Sequence, residues 1–271
     1  MTSNCPSDLH NGRSVSVLFS SACEIEPGIR VRIFHPPAVP ACLALIDLDE
    51  LEAVFRTDQA FRAGTVMLSP AEQKRFAAYT YPKRRKEWLG GRLACKSCVL
   101  ELLGLTPSAD LFAAVSIVPA ASGAPLVSAS PALGRPLPSV SISHSGRYAA
   151  AMAAAGGACG VDIQRVTART LTVADRFAEA GERLLLRSAA PGWDEARRLT
   201  LLWTAKEALK KSLPPGRPGF FRDLILRAVR CGPGISLNFS GPRGAGNQLE
   251  VTAACLDDYL LAYTIRQSGH A

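Results

Sequence analysis

The clearest pattern of apolar positions lies in the last third of the chain and predicts one long helix over roughly residues 193–212. Asp194 and Glu195 place negative charge in its first turn, where the helix dipole favours it. The stretch Pro214-Pro215-Gly216 ends the pattern. Apolar residues at helical spacing form its buried stripe, namely Leu199, Leu202, Ala205, Leu209 and Leu213.

Other apolar runs predict further helices and a series of short strands. Ser69 and Pro70 suit the cap and the first position of a helix that ends near Tyr79. Another helix begins at the basic cluster Lys83–Lys86 and closes at Gly104, and one or two more fall within residues 172–188. Strands are expected at 42–48, 113–118, 140–145, 148–154, 160–165, 220–229, 235–239, 249–254 and 259–265.

The order of these elements predicts an α+β protein made of two similar α/β lobes. We expect an irregular N-terminal extension at residues 1–40, in which residues 31–34 have the composition of a short strand. An N-terminal lobe then covers residues 41–157 and a C-terminal lobe residues 158–271. Strand, helices and a meander recur in both lobes, although the residues themselves show no repeat.

Composition indicates a globular protein with an anionic partner. The 271 residues are 48% hydrophobic and 20% charged, and the net charge is +8. Nucleic acid, an acidic protein and a polyphosphate metabolite all fit that charge. The N-terminus has no basic region followed by an apolar run, and the apolar stretches are too short to span a membrane, so we expect a cytoplasmic protein. The eight cysteines are then free thiols, and the CxxC at Cys95–Cys98 is structural.

The long helix also carries the chain's most suggestive polar residues. Trp203, Glu207 and Lys211 form a row away from the apolar stripe, with Lys206 and Lys210 in a second row beside it. An ordinary solvated helix surface explains such a row, since an exposed Glu–Lys pair contributes only about 0.2–0.5 kcal/mol. The functional alternative is a carboxylate that meets a cation while the lysines meet phosphate.

Two predicted strands and one predicted helix start supply polar groups that favour this alternative. His144 stands between the hydroxyls of Ser143 and Ser145 at a strand end, and a satisfied core histidine is the competing interpretation. Asp162 and Gln164 share one face of an otherwise apolar strand; solvent exposure is the competing interpretation, and in a central strand the carboxylate would need a cation or a lysine. The basic cluster Lys83–Lys86 opposes the dipole of its helix unless an anion binds there.

Three segments in this order resemble the surfactin-type 4′-phosphopantetheinyl transferases. The segments are Ser141–Ser145, Gly160–Ile163 and Trp203–Lys211, and the resemblance spans roughly residues 42–266. It implies a monomer of two α/β lobes related by a pseudo-twofold axis. It also implies transfer of the 4′-phosphopantetheine group from coenzyme A to a serine of an acidic acyl or peptidyl carrier protein, with release of 3′,5′-ADP.

The resemblance further implies a Mg²⁺ ion and a set of site residues. Asp162 and Glu207 would hold the metal with Gln164, and Glu207 would also remove the serine proton. Lys211 would neutralise the diphosphate or protonate the leaving group. Coenzyme A phosphates would contact His144, Ser143, Lys206, Arg85, Lys86 and Arg92.

Two departures from the family pattern bear on this expectation. Many members have a glutamate where this chain has Gln164, a neutral and weaker ligand for a hard cation, so we expect weaker metal affinity. The stretch Gly123-Ala124-Pro125 lacks the lysine of the family's Gly-Lys-Pro, for which Arg135 is a possible substitute. The competing functions are a coenzyme A-binding protein without transfer activity and a basic nucleic-acid-binding protein, although no nucleic-acid-reading motif is present.

Overall fold

The structure is a computed structural model that describes residues 21–26, 28–37, 39–55, 64–129, 133, 136–214, 221–232, 234–241 and 248–267. Within this part of the chain the fold divides into two compact units, and the division falls between Cys159 and Gly160. Arg135 and residues 1–20 of the expected N-terminal extension lie outside the described residues. None of the helices in the described part is long and apolar enough to cross a membrane.

The N-terminal unit is built on a five-stranded antiparallel sheet of order β1-β2-β3-β7-β6. Its strands are β1 (Ser21–Glu26), β2 (Ile29–Phe34), β3 (Ala41–Asp47), β6 (Ser139–Ser145) and β7 (Tyr148–Ala154). A separate hairpin pairs β4 (Val115–Pro119) with β5 (Pro125–Ala129). Its helices are α1 (Leu48–Val54), α2 (Pro70–Ala77), α3 (Pro82–Leu102) and α4 (Ala109–Ala114).

Helix α3 is the central helix of this unit. It packs across β3 and β7, and most of its residues from Glu87 to Leu100 are buried. Cys95 lies in this buried stretch, where burial raises the pKa of its thiol well above the ordinary value. The CxxC therefore belongs to the core, and the seven cysteines among the described residues are free thiols.

Residues 21–26 and 29–30 are not the irregular extension that the sequence predicts, whereas the short strand expected at residues 31–34 is confirmed. These residues form β1 and β2, and β2 pairs with β3 along Val31–Phe34. Ile29, Val31 and Ile33 alternate toward the core and are buried. The strand becomes stable because its alternate apolar face is covered and its backbone is paired by the sheet, neither of which a short segment shows on its own.

The C-terminal unit has a five-stranded sheet of order β8-β12-β11-β10-β9. Its strands are β8 (Gly157–Arg165), β9 (Ile225–Cys231), β10 (Ile235–Ser240), β11 (Leu249–Leu256) and β12 (Tyr259–Gln267). Its helices are α5 (Arg169–Thr172), α6 (Ala180–Ala189) and α7 (Glu195–Ser212). Strand β9 starts later than the expected residue 220 because Phe221–Asp223 forms a 3₁₀ turn.

Helix α7 confirms the long helix predicted from the apolar stripe. Asp194 caps it, with a carboxylate oxygen that accepts a hydrogen bond from the Arg197 N–H at 2.7 Å. The buried stripe includes Leu199, Leu202, Ala205 and Leu209, and the helix contacts β11. This packing fixes which face of α7 is left for polar residues.

Candidate active site

Asp162 lies on β8 between two core residues and is itself buried. Val161 and Ile163 are fully buried, and Asp162 is 2% exposed. Its Oδ1 accepts a hydrogen bond from Lys211 Nζ at 2.7 Å, and its Oδ2 accepts one from Gln164 Nε2 at 3.1 Å. A buried carboxylate needs such compensation, because an unpaired charge away from water is strongly disfavoured.

Glu207 approaches Asp162 from α7. Burial raises the pKa of Glu207, and repulsion from Asp162 raises it further, while Lys211 and Lys210 oppose the shift. A partly buried carboxylate beside a second carboxylate is an arrangement that a cation stabilises. The structure thus brings together the two acids that the sequence analysis paired from a strand and a helix.

The backbones of β8 and α7 make a close contact beside these acids. A Cβ built on Gly160 would lie 1.9 Å from the Ala208 carbonyl oxygen. Gly160 precedes Asp162 by two residues and Ala208 directly follows Glu207. A glycine is required here because any side chain would collide with helix backbone, which cannot swing aside as a side chain can.

Lys211 connects the two elements electrostatically. Besides Asp162, its Nζ donates to the Val161 carbonyl oxygen at 2.9 Å. The ammonium is therefore held at the strand, one helical turn beyond Glu207. It occupies the position from which it can compensate negative charge on a ligand bound at the acids.

A cavity of about 370 Å³ in the same unit adjoins this group. Trp203 and Gln164 line it, and Trp203 packs against Phe177 and Phe221 with ring centroids 5.0 Å apart in each case. The remaining wall is strongly cationic and carries hydroxyl groups, from Arg165, Arg169, Arg176, Thr167, Thr170 and Thr200. Its chemistry suits an anionic partner.

The donor set at Asp162 and Glu207 fits a Mg²⁺ ion. Both acids offer hard oxygen ligands and Gln164 adds an amide oxygen, and Mg²⁺ typically takes one or two carboxylates with substrate phosphates and water. Among the described residues, no group of three or more His, Cys, Asp or Glu side chains could hold a metal. A third acidic ligand is therefore absent from the described site, in keeping with glutamine at position 164.

Lys206 does not lie where the sequence analysis placed it. Its ammonium is fully buried and forms an ion pair with Glu182 at 2.8 Å, and it donates to the Phe177 carbonyl oxygen at 2.6 Å. Helical spacing turns residue 206 about 100° away from residue 207, into the core. The assignment of Lys206 to coenzyme A phosphate was wrong, because the side chain is a structural ion-pair partner.

In the N-terminal unit, a second basic cavity of about 260 Å³ contains two predicted residues, Arg92 and His144. Arg84 Nη1 lies 3.3 Å from His144 Nε2, and His144 Nδ1 lies 3.7 Å from Glu87. The guanidinium of Arg92 stacks over the Trp88 ring at 4.8 Å. In the described chain, the buried Arg92 Nε and Trp88 Nε1 have no hydrogen-bond partner. These donors suit an anion.

Three other predicted phosphate contacts do not line this cavity. Arg85 and Lys86 line a different groove beside Leu51 and Phe55, and Lys86 forms ion pairs with Glu52 at 2.6 Å and with Asp49. Ser143 is buried, because alternate residues of β6 face opposite sides and His144 takes the cavity side. The structure corrects these three assignments.

Known proteins match part of this chain. The 4′-phosphopantetheinyl transferase superfamily profile (ACPS) matches residues 158–264. Holo-[acyl-carrier-protein] synthases of Streptococcus agalactiae serotype III and serotype V are each 36% identical over 107 residues, which is 39% of this chain and 88% of each relative. The chain belongs to the 4′-phosphopantetheinyl transferase superfamily. It is an enzyme of this class.

One solved structure also resembles this chain, at a lower sequence identity than the two synthases. The crystal structure of Helicobacter pylori holo-[acyl-carrier-protein] synthase (AcpS) in complex with coenzyme A is 19% identical, with a TM-score of 0.36. The comparison covers 42% of this chain and 97% of that one. The superfamily match contains the candidate site residues from Asp162 to Lys211, and it leaves nearly all of the N-terminal unit outside it.

Of the arginines in the N-terminal cavity, the sequence analysis missed Arg75 and included Arg84 only as a member of the basic cluster Lys83–Lys86, not as a named phosphate contact. Helical spacing could have identified Arg84 as a contact, because Arg84, Trp88 and Arg92 recur every four residues and share one face of α3. Arg85 and Lys86 are rotated off that face. Arg75 comes from α2, and no local spacing connects it to α3.

Proposed function

We propose that this transferase is of the surfactin type and moves the 4′-phosphopantetheine group of coenzyme A onto a serine of an apo carrier protein. The observation that carries the proposal is the buried Asp162 on β8 facing Glu207 on α7, with Lys211 bonded to Asp162. Such a group neutralises and positions a diphosphate, which is the main task in phosphoryl transfer. The relatives are named holo-[acyl-carrier-protein] synthases, which supports this reaction.

The presence of an N-terminal unit upstream of the matched segment supports the surfactin type, because the superfamily profile matches residues 158–264 alone. The proposal includes a pseudo-twofold relation between two lobes and a monomeric enzyme. Each unit has its own five-stranded sheet and its own long central helix, α3 or α7.

In the proposed reaction, the carrier's serine oxygen attacks the phosphorus that bears the pantetheine arm. A new phosphorus–oxygen bond forms on serine, and the bond to the bridging oxygen of the diphosphate breaks, which releases 3′,5′-ADP. Glu207 accepts the serine proton, directly or through water, and its raised pKa suits a general base better than an ordinary glutamate. Lys211 balances the negative charge that develops on the leaving oxygen.

Mg²⁺ is part of the proposal. Asp162 and Glu207 would hold it, with Gln164 or a water in the third position. When bound, the ion supplies Lewis-acid stabilisation of the diphosphate charge. The neutral amide at 164 leaves the site one negative charge short of the common family pattern, so we expect weaker metal binding than in members with glutamate there.

Two cationic cavities fit the anionic substrates, each within its own unit. The N-terminal cavity, with Arg75, Arg84, Arg92 and His144, is our candidate for a phosphate of coenzyme A. The C-terminal cavity, with three arginines beside Trp203, is our candidate for acidic side chains of the carrier. The net charge of +8 favours encounter with both partners.

The deciding experiment incubates the protein with apo carrier, coenzyme A and Mg²⁺ and measures the carrier by intact mass spectrometry. We expect a gain of one phosphopantetheine arm with the wild type and none with Asp162→Ala or Glu207→Ala. Fatty-acid, polyketide and peptide carriers are tested side by side, since the residues do not distinguish among them.

Two other outcomes would overturn the proposal. Coenzyme A binding by calorimetry without mass gain on any carrier would indicate a binding protein that has lost transfer, which the neutral Gln164 would then explain. Salt-sensitive binding to DNA without coenzyme A binding would indicate a nucleic-acid-binding protein.

A further inference from the structure

A buried ion pair between Glu182 and Lys206 joins four segments of the C-terminal unit. Lys206 Nζ lies 2.8 Å from Glu182 Oε1 and 3.0 Å from Oε2, and it donates to the Phe177 carbonyl oxygen. Glu182 Oε1 also accepts from the Leu226 N–H at 2.8 Å. One contact therefore ties α7 to α6, to the segment before α6 and to β9.

The pair's charges are compensated almost completely, which makes the contact geometrically strict. Both side chains are at most 2% exposed, and the second Glu182 oxygen also accepts from the Glu179 N–H at 2.9 Å. The ammonium has three acceptor contacts for its three protons. Any rotation of α7 would stretch these bonds in a region without water to replace them.

Lys206 directly precedes Glu207, and adjacent helical residues are related by a fixed turn of about 100°. A helix radius of about 5–6 Å including side chains means that a 20° rotation of α7 moves the Glu207 carboxylate by roughly 2 Å. Fixing Lys206 in the core thus fixes the direction of Glu207 toward Asp162. The Gly160–Ala208 contact sets the separation of the two elements but leaves helix rotation to be determined by side chains.

The N-terminal unit contains the same contact, but no candidate catalytic acid follows its lysine, and its Glu72 lies 3.9 Å from Arg92 of the N-terminal cavity. Lys96 Nζ lies 2.6 Å from Glu72 and donates to the Met67 carbonyl oxygen at 2.8 Å. Glu72 Oε1 accepts from the Ile117 N–H at 3.0 Å. The lysine follows its glutamate by 24 residues in both units, and the carbonyl group lies five residues before the glutamate in both.

The residue after Lys96 is Ser97, whose hydroxyl donates to the Leu93 carbonyl oxygen of its own helix at 2.9 Å. The Glu72–Lys96 pair therefore does the structural task alone. Its repetition supplies an internal control: two pairs with similar burial and partners, of which one is followed by Glu207.

We propose that the Glu182–Lys206 ion pair is a positioning device that sets the rotation of α7 and so aims Glu207 at Asp162. This rests on the proposed function, in which Glu207 acts at the diphosphate. Neither Glu182 nor Lys206 touches substrate in this arrangement, and both act through Glu207.

The test compares Lys206→Met with Lys96→Met in the full-length protein, at a temperature where circular dichroism shows each variant folded. Both variants are expected to lose thermal stability. Lys206→Met should lower kcat about 100-fold at saturating substrates with little change in the KM for coenzyme A, because misplacement by 1 Å can cost that much. Lys96→Met should change kcat less than about threefold, because its partner Glu72 contacts Arg92 of the N-terminal cavity and a disturbance there changes the KM for coenzyme A rather than kcat. Equal kcat for the two folded variants would overturn the proposal.

Two further measurements cover the case in which Lys206→Met does not fold. The double variant Glu182→Gln/Lys206→Met removes both charges, leaves an amide oxygen for the Leu226 N–H, and should fold but keep the kcat defect. Mn²⁺ binding to the same proteins by electron paramagnetic resonance should weaken about 10-fold relative to Glu72→Gln/Lys96→Met, because the two acids no longer converge. Unchanged Mn²⁺ affinity with wild-type kcat would contradict the proposal. Failure of the wild type to modify any carrier would instead contradict the proposed function.

Discussion

Gly160 stands against Ala208 with no room for a side chain, because an added Cβ would come within 1.9 Å of the Ala208 carbonyl oxygen. The contact is between backbones, so it fixes how closely β8 and α7 approach. Asp162 and Glu207 are carried by these two segments within two residues of the contact. The separation of the carboxylates therefore depends on a glycine that has no chemical role itself.

We expect Gly160→Ala to lower kcat about 100-fold, because α7 must move away from β8 and catalytic groups displaced by about 1 Å lose roughly that factor. The measurement is the steady-state rate of carrier modification at saturating coenzyme A. Gly181→Ala is the matched control, since a Cβ there meets no described atom within 4 Å and position 181 lies in a helix. A wild-type rate for Gly160→Ala would show that the carboxylate separation is not critical.

Gln164→Glu should lower the Mg²⁺ concentration for half-maximal rate, by about 10-fold. The Gln164 amide now donates to Asp162 Oδ2 at 3.1 Å, and a carboxylate there would repel Asp162 until a cation binds between them. We therefore expect Tm to fall without metal and to recover when Mg²⁺ is added. Titration of rate and Tm against Mg²⁺ checks both. An unchanged or higher half-maximal concentration would count against Gln164 as the weak ligand.

The sequence and the structure assign different basic residues to the phosphates of coenzyme A, and variants in and beside the N-terminal cavity test which assignment is correct. Arg84→Ala should raise the KM for coenzyme A about 10-fold, because Arg84 faces His144 in the basic cavity. Lys86→Ala should leave KM within about twofold, because Lys86 is engaged by Asp49 and Glu52. Lys74→Ala, an exposed charge deletion on α2, is the control for net charge. The reverse order of effects would restore the sequence-based assignment.

The sequence was sufficient for the parts of the site that depend on short-range spacing. Glu207 and Lys211 are one turn apart on a helix whose apolar stripe is unambiguous, and Asp162 alternates with Val161 and Ile163 on a strand. The helical or strand periodicity of the apolar residues then determines which polar side chains face away from the core. The superfamily match confirms the 4′-phosphopantetheinyl transferase superfamily, and the surfactin type to which the residue pattern pointed stays a prediction.

The sequence was insufficient where tertiary partners decide a residue's role. Local spacing places Lys206 on the helix surface, but the side chain is buried because it forms an ion pair with Glu182, 24 residues earlier. Lys86 looks like an anion contact until α1 presents Asp49 and Glu52 to it. Strand β1 was not expected from the sequence, and its backbone is paired by β2. In each case the contact that determines the role of the residue comes from another helix or strand, and the local periodicity of the sequence does not reveal that contact.

Glu207→Gln should stabilise the metal-free protein at neutral pH while abolishing transfer. The folded-state pKa of Glu207 is raised above the ordinary 4.5, first by burial and then by Asp162. Between the unfolded and folded pKa values the folded state retains a proton that the unfolded state releases, so stability falls as pH rises through this window. Above the folded pKa the full cost of the buried charge is present, and glutamine removes it.

Thermal unfolding of both proteins in EDTA, followed from about pH 4.5 to about pH 8, measures this effect. The Tm of the variant should exceed that of the wild type at the upper end, and the difference should close as pH falls toward the ordinary glutamate value. Mg²⁺ with coenzyme A should reverse the order, because ligands that bind the folded wild type stabilise it by mass action. A variant less stable than wild type at about pH 8 in EDTA would mean that the lysines outweigh Asp162 and burial at this site.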